Sequence, residues 1–209
     1  QILTPKLMMG FAYELVSDEG FLNNPYRSVR YLDPGSPSGY AYQAEIYPHT
    51  RVSSAASVNA RYYLPYRAAL SGEFRYFTDT WGIDSMTAKV GYTYPWHDRW
   101  IFEAGYRWYD QTAADFYSDL FPRADAQNFL ARDKELSTFT SHMLSVGASY
   151  ELPPLGWKAI QKSTINFYVD QIFYNYQDFR DVTAGGAPGT EPEYSYDATV
   201  MRLFFSGWF

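Results

Sequence analysis

Three histidines, His49, His97 and His142, and the hydroxyls of Ser141 and Ser145 are the side chains whose types could support hydrolysis or metal binding. A serine nucleophile needs a base within hydrogen-bond reach, and a zinc site needs closely spaced His, Cys or carboxylate ligands. The histidines are scattered and show no metal-ligand spacing. In an extended chain His142 shares a face with Leu144 while both serines point to the other side. The sequence has no cysteine, which removes disulfides, thiolate metal sites and a cysteine nucleophile. Neither enzyme chemistry, nor a cofactor, nor a metal is expected.

A second chemistry is electrostatic. Glu14, Arg51, Arg61, Glu73, Arg75, Lys89, Glu103, Arg107, Asp170 and Arg202 occur at alternate positions within otherwise apolar segments. Gathered on one side of a sheet, such groups form ion-pair ladders across neighbouring strands or line an aqueous path.

The elements that must position them are strands. Side chains two apart share a face of a strand, and eight segments alternate on that period. In 86–94, Met86, Ala88, Val90, Tyr92 and Tyr94 oppose Thr87, Lys89, Gly91 and Thr93; in 100–110, Trp100, Phe102, Ala104, Tyr106 and Trp108 oppose Ile101, Glu103, Gly105, Arg107 and Tyr109. Leu7 to Leu15, Val52 to Tyr62, Leu70 to Tyr76, His142 to Leu152, a less regular stretch from Thr164 to Gln177, and Met201 to Phe209 follow the same rule. The connections 17–50, 111–137 and 178–196 are long, 64–67, 80–85 and 95–99 short, and 153–163 intermediate. With the C-terminus in the periplasm, every long connection falls on the outer side, the pattern of outer-membrane barrels.

Such alternation also fits a soluble antiparallel barrel or sandwich. Repeated charges on the polar face, the many aromatics on the apolar face, and the terminal Phe209 favour the membrane form. The expectation is an all-β, antiparallel up-and-down transmembrane β-barrel forming one domain over 1–209. Tyr62, Tyr92, Tyr94, Trp100, Tyr106, Trp108 and Phe209 would make its aromatic girdle. Arg51, Arg61, Glu73, Arg75, Lys89, Glu103, Arg107 and Arg202 would line its lumen. No run approaches the 18 or so apolar residues of a spanning helix. The net charge of -6, with 17 basic and 23 acidic residues and no basic cluster, excludes nucleic acid as a partner. Residues 1–6 carry no basic and apolar leader pattern, as expected of a mature chain or a piece of a longer one.

The end Met201-Arg-Leu-Phe-Phe-Ser-Gly-Trp-Phe209 resembles the C-terminal strand of Gram-negative outer-membrane proteins, with Gly207 where an aromatic is usual. That resemblance implies delivery by the barrel-assembly machinery. Phe21-Leu-Asn-Asn-Pro-Tyr-Arg27, Tyr63-Leu-Pro-Tyr66, Phe74-Arg-Tyr-Phe-Thr-Asp-Thr-Trp-Gly-Ile83, Ala113-Ala-Asp-Phe-Tyr-Ser-Asp-Leu-Phe-Pro122 and Ala126-Gln-Asn-Phe-Leu-Ala-Arg-Asp-Lys-Glu-Leu-Ser137 are similar to a family of uncharacterised proteobacterial outer-membrane proteins, catalogued as a domain of unknown function. The family resemblance implies an outer-membrane location, with the lipid bilayer and lipopolysaccharide as surroundings. It also implies a longer chain with N-terminal strands before residue 1, and so a barrel of more than eight strands.

The outer connections 17–50, 80–85, 111–137 and 178–198 hold fifteen of the acidic residues against six basic ones. That reads as a solvated rim, or as a surface recruiting divalent cations. Residues 125–136 read as a short helix with Asp125 near its N-cap. Loop 111–137 is expected to act as a lid or constriction, or to dock a partner. Phe21, Tyr26, Phe116, Tyr117 and Phe129 are the exposed aromatics expected to meet a protein partner. Two functions stand open at this point: a porin-like channel with a charged lumen, and an anchoring barrel whose loops hold another protein.

Overall fold

The structure is a computed structural model describing residues 2–153 and 162–209. In chain order its strands are β1 (Ile2–Thr4), β2 (Leu7–Glu19), β3 (Ser28–Leu32), β4 (Tyr40–Ala44), β5 (Thr50–Tyr63), β6 (Ala69–Asp79), β7 (Asp84–Trp96), β8 (Trp100–Gln111), β9 (Phe139–Glu151), β10 (Lys162–Arg180) and β11 (Glu193–Trp208). Helix is limited, among the described residues, to the 3-10 turns Lys134–Leu136 and Val182–Ala184. The fold is an all-β antiparallel sheet of nine strands in the order β1-β2-β5-β6-β7-β8-β9-β10-β11, with β3 and β4 as a separate hairpin. All eight segments with period-2 alternation are strands of the large sheet.

Register carries the alternation from strand to strand. Phe11 faces Val58, Val58 faces Phe74, Phe74 faces Ala88 and Ala88 faces Trp108. Further along, Tyr106 faces Leu144, Val146 faces Val169 and Val169 faces Met201. A slip of one residue in any ladder would mix the two faces, and none of the ladders joining β2 to β9 slips. One apolar and one polar surface therefore run across the whole sheet.

Burial is inverted relative to a water-soluble sheet. Within β9, Val146 on the apolar face is 60% exposed while Ser141 on the polar face is 3% exposed. Phe11, Leu144, Met201 and Leu203 are exposed on the first face; Thr87, Gln111, Asn166 and Asp170 are buried on the second. The long strands contact chiefly their neighbours in the sheet, and among the described residues no layer covers the apolar face.

Several boundaries differ from the sequence reading. The irregular stretch 164–177 is part of the longest strand, the 19-residue β10. Pro95 lies in β7 opposite Ile101, beyond the last β6 pair, Ala69 with Thr93, so its missing N–H costs no bond to β6. The expected helix over 125–136 does not form. Asp125 has a positive φ of 47°, and Leu130 exchanges backbone hydrogen bonds with Ile46, so the chain is held extended. Only Lys134–Leu136 turns, capped by the Asp133 side chain. Of the 153–163 connection, 154–161 lie outside the described residues.

Gly147 shows how the polar face is filled. Tyr168 lies opposite it, and a Cβ at Gly147 would collide with the Tyr168 ring. The bare backbone lets the ring cross β9 and donate from its hydroxyl to Glu103 Oε2 on β8, at 2.6 Å. Gly147→Val should displace the ring, sever that bond and lower stability by about 1–3 kcal/mol, read as a lower denaturant midpoint. An unchanged midpoint would contradict this packing.

Candidate functional site

The ten charged residues expected on one face do share it, in paired and unpaired sets. Glu73 and Lys89, directly opposite in the ladder, meet at 2.8 Å. Arg202 reaches Asp170 at 2.7 Å, Arg51 reaches Asp79 at 2.5 Å, and Arg75 crosses β5 to Glu14 at 3.2 Å. Glu103 accepts from Tyr168 and, among the described residues, pairs with no cation. Arg107 lies 5.3 Å over the Tyr109 ring. Arg61 borders a hollow of about 370 Å³ with Ser71, Thr93 and Glu103, and no carboxylate among the described residues lies within salt-bridge distance of it. Charge balances within each pair; of these ten, Arg61 and Arg107 are the cations with no carboxylate partner among the described residues.

Between this charged field and the loops is an aromatic patch that the sequence reading missed. Tyr109, Phe139, Tyr174, Tyr176, Tyr194 and Tyr196 all lie on the polar side, with centroids 5.4 Å apart for Tyr109 and Phe139, 5.2 Å for Phe139 and Tyr176, and 4.7 Å for Tyr174 and Tyr196. The Lys134 ammonium stands 4.9 Å over the Tyr196 ring. Residues 178–196 read as loop, but β11 begins at Glu193, and its alternation places Tyr194 and Tyr196 here.

On the apolar face Tyr92, Tyr94 and Trp100 gather toward the short-turn end, where Trp100 meets Tyr150 at 4.6 Å and Tyr94 meets Tyr66 at 6.3 Å. Tyr62 is paired with Leu70 at that end and Phe209 follows β11 there, fully exposed. Tyr106 and Trp108 are nearer the loop end beside His142, whose Nδ1 is 2.7 Å from the Tyr106 hydroxyl. Trp100 and Trp108 are about 26 Å apart along β8 at roughly 3.3 Å per residue. Ser141 lies on the opposite face from His142. His97 occupies a tight turn at φ 54°, and His49 contacts the Gly20 carbonyl.

The loops fold into a cap of their own. Tyr47, Trp81, Ile83, Ala114, Phe116, Ala131 and Leu136 form one core, and Val29, Phe121 and Leu130 a second. Phe77 from the polar face packs on the first. Neither Phe116 nor Tyr117 has the exposure expected of it. Phe116 is 6% exposed because the Tyr47 and Trp81 rings enclose it, and Tyr117 is half-buried, its hydroxyl donating to the Asp178 carbonyl. Phe21, Tyr26 and Phe129 are exposed.

The acidic rim is likewise partly internal. Arg30 on β3, fully buried, donates to both carboxylate oxygens of Glu191 and to Asp119 Oδ2, and its Nε donates to the Asp119 carbonyl at 2.9 Å. Arg132 takes the other Asp119 oxygen at 2.8 Å, and its backbone N–H donates to Glu45 Oε1 at 2.8 Å. Three connections, 20–49, 112–138 and 181–192, are thereby clasped around one guanidinium. Burial opposes the Arg30 charge, but the hydrogen bonds to Glu191 and Asp119 outweigh it and raise its pKa. The bond from Arg30 holds Glu191 down to about 2. Burial pushes the Glu45 carboxyl up, against the hydroxyl of Tyr47 and the N–H of Arg132. Sequence gave no sign of the clasp, since Arg30 and Glu191 are 161 residues apart. Among the described residues no cluster of His or carboxylate side chains could hold a metal.

Residues 1–177 match the family described as "Protein of unknown function (DUF3570)", and the chain belongs to it. No curated protein and no solved structure matches the chain.

Arg30→Met should leave Asp119 and Glu191 as buried carboxylates without their cation, costing the cap about 3–5 kcal/mol. Hydrogen exchange should rise in 28–44 and 116–133 and stay unchanged in β6–β9; protection retained in the cap would refute the clasp. Glu191 is depressed in the folded state, so its contribution is full above about pH 4.5 and is lost as pH falls toward 2. Glu45, raised, acts in the opposite sense and regains stability on protonation. The cap of the native protein should therefore open only at the acid end, as followed by limited proteolysis with pepsin.

Proposed function

We propose that the sheet is wall of an outer-membrane β-barrel in a Gram-negative cell and that its polar face lines an aqueous channel. The observation that carries this reading is the inverted burial: Leu, Val, Phe and Met side chains uncovered on one face, Ser, Thr, Asn and Asp enclosed on the other. In water the uncovered face would be an aggregation surface; in hydrocarbon it is at its preferred contact. The long strands, of 11–19 residues, reach or exceed the roughly 9–11 needed to cross a bilayer. Short turns at one end and the long, capped loops at the other fit the periplasmic and outer sides, where the loops would meet lipopolysaccharide. The exposed end of β11 fits the strand offered to the barrel-assembly machinery.

Hydrocarbon leaves no backbone edge unpaired. Among the described residues the sheet ends at β1, on the edge of β2, and at β11, so the wall is completed by further antiparallel pairing. β1 already stands on that β2 edge, which separates β2 from β11 at this end and favours a ring wider than eight strands. An eight-strand ring would be filled by its own side chains; a wider one holds water. The protein reconstituted in planar bilayers should then give steady conductance steps, and replacing Arg61 and Arg75 by glutamine should shift ion selectivity toward cations. A folded protein that conducts nothing would sink the channel reading.

Phe21 and Tyr26, exposed at 72% and 96% on the cap, favour a second reading, an anchoring barrel that holds a protein partner through its loops. Replacing both by serine should abolish that association while conductance and folding persist; a partner retained by the double variant would contradict it.

A further inference from the structure

The cap contains a cleft of about 450 Å³, within the range of small-ligand sites, about 300–1,000 Å³. Its floor is aromatic. Trp81 and Phe116 meet edge-on at 5.2 Å, and Phe129 stands against Phe116 at 6.3 Å. The Trp81 ring is fixed from several sides: its Nε1–H donates to the Thr50 carbonyl at 2.9 Å, its backbone N–H to Asp79 Oδ1, and the Arg51 guanidinium lies 4.6 Å over its ring. Arg51 is itself bound to Asp79. Phe129 is partly exposed and presents apolar ring surface to whatever enters.

The rim is polar and almost uncharged. Asp115, Gln127 and Asn128 border the opening, and Thr80 adds a hydroxyl. Gln127 Nε2 donates to the Phe116 carbonyl at 3.1 Å, which pins the amide and leaves its carbonyl oxygen as an acceptor. No Lys, Arg or His is among the lining residues, so nothing there would hold a phosphate, sulfate or carboxylate. An acyl chain has no use for two amides and a carboxylate, and burying them unpaired against it would be costly.

The ligand class that meets all of these features has apolar C–H faces for the rings and a perimeter of neutral hydroxyls for the amides, the carboxylate and the threonine. We infer that the cleft binds an uncharged pyranose unit of a saccharide, stacked on Phe129 and hydrogen-bonded by Asp115, Gln127 and Asn128. The fixed Trp81 and Phe116 floor makes the site pre-organised, which lowers the ordering cost of binding. The inference does not depend on conduction; it concerns the cap whether the barrel is open or closed.

The test uses the full-length protein in a zwitterionic detergent with no sugar headgroup. Maltohexaose, cellohexaose and chitin hexasaccharide serve as neutral probes, and a galacturonic acid oligomer and a hexapeptide as controls, followed by saturation-transfer NMR and calorimetry. At least one neutral hexasaccharide should bind, and Phe129→Ala and the double variant Gln127→Ala/Asn128→Ala should each weaken it about tenfold or more. These residues are exposed, and hydrogen exchange of the cap verifies that the variants remain folded. Absence of binding by all three neutral sugars would overturn the inference. So would binding within about twofold of the parent in both folded variants, or tighter binding of the anionic oligomer or the peptide.

Discussion

The structure depends on one constraint, that the backbone pleat sends successive side chains to opposite faces and the ladders must keep that parity from strand to strand. The apolar pairing that begins with Phe11 and Val58 on β2 and β5 arrives at Val169 and Met201 on β10 and β11. Because parity is kept, every charged residue of the polar face faces its neighbours across the same surface. Glu73 meets Lys89, and Asp170 meets Arg202. Lost parity in one strand would bring carboxylates to the apolar side with no partner, at the cost of a charge in an apolar environment.

The polar face is a graded surface. Its middle carries ion pairs and Arg107, with Arg61 toward the short-turn end of β5; toward the loops it turns aromatic, with Tyr109, Phe139, Tyr174 and Tyr176; beyond that is the cap, joined to the face through Phe77 and Arg51. The cap's rigidity has a separate origin. It rests on two small aromatic and aliphatic cores and on a buried arginine that satisfies two carboxylates from different loops. Such a network fixes geometry more than it adds stability, since desolvating its charges offsets much of their attraction.

What could be read from the chain follows from the range of the interactions. Strand alternation is local, so all eight long strands and the shared face of Arg51, Arg61, Glu73, Arg75, Lys89, Glu103, Arg107 and Arg202 were legible in residue order. The β3–β4 hairpin also has a local signal, since Asp33-Pro34-Gly35 lies between Val29 and Tyr31 on one side and Tyr40 and Tyr42 on the other, within the long connection 17–50. The clasp had none. Arg30 looks like any exposed loop cation until the fold brings Asp119 and Glu191 to it across 89 and 161 residues. The same distance effect buried Phe116 and turned the expected helix over 125–136 into extended chain, where pairing with Ile46 outweighed helix propensity. Which rings line a cleft, as Trp81 and Phe129 do, is a tertiary fact with no local trace.

The most direct test of the central claim, that the apolar face contacts lipid and the polar face water, exploits the absence of cysteine. Single cysteines placed in turn at positions 142–146 and 148–150 of β9, leaving Gly147 in place for the Tyr168 ring, and spin-labelled in the protein reconstituted in lipid vesicles, would report collision with dissolved oxygen and with a water-soluble nickel complex. The expected result is strict alternation: lipid-like oxygen access at 144, 146 and 148, and water-like or enclosed behaviour at 143, 145 and 149. Uniform access to the nickel complex along the strand, or alternation of the opposite phase, would contradict it.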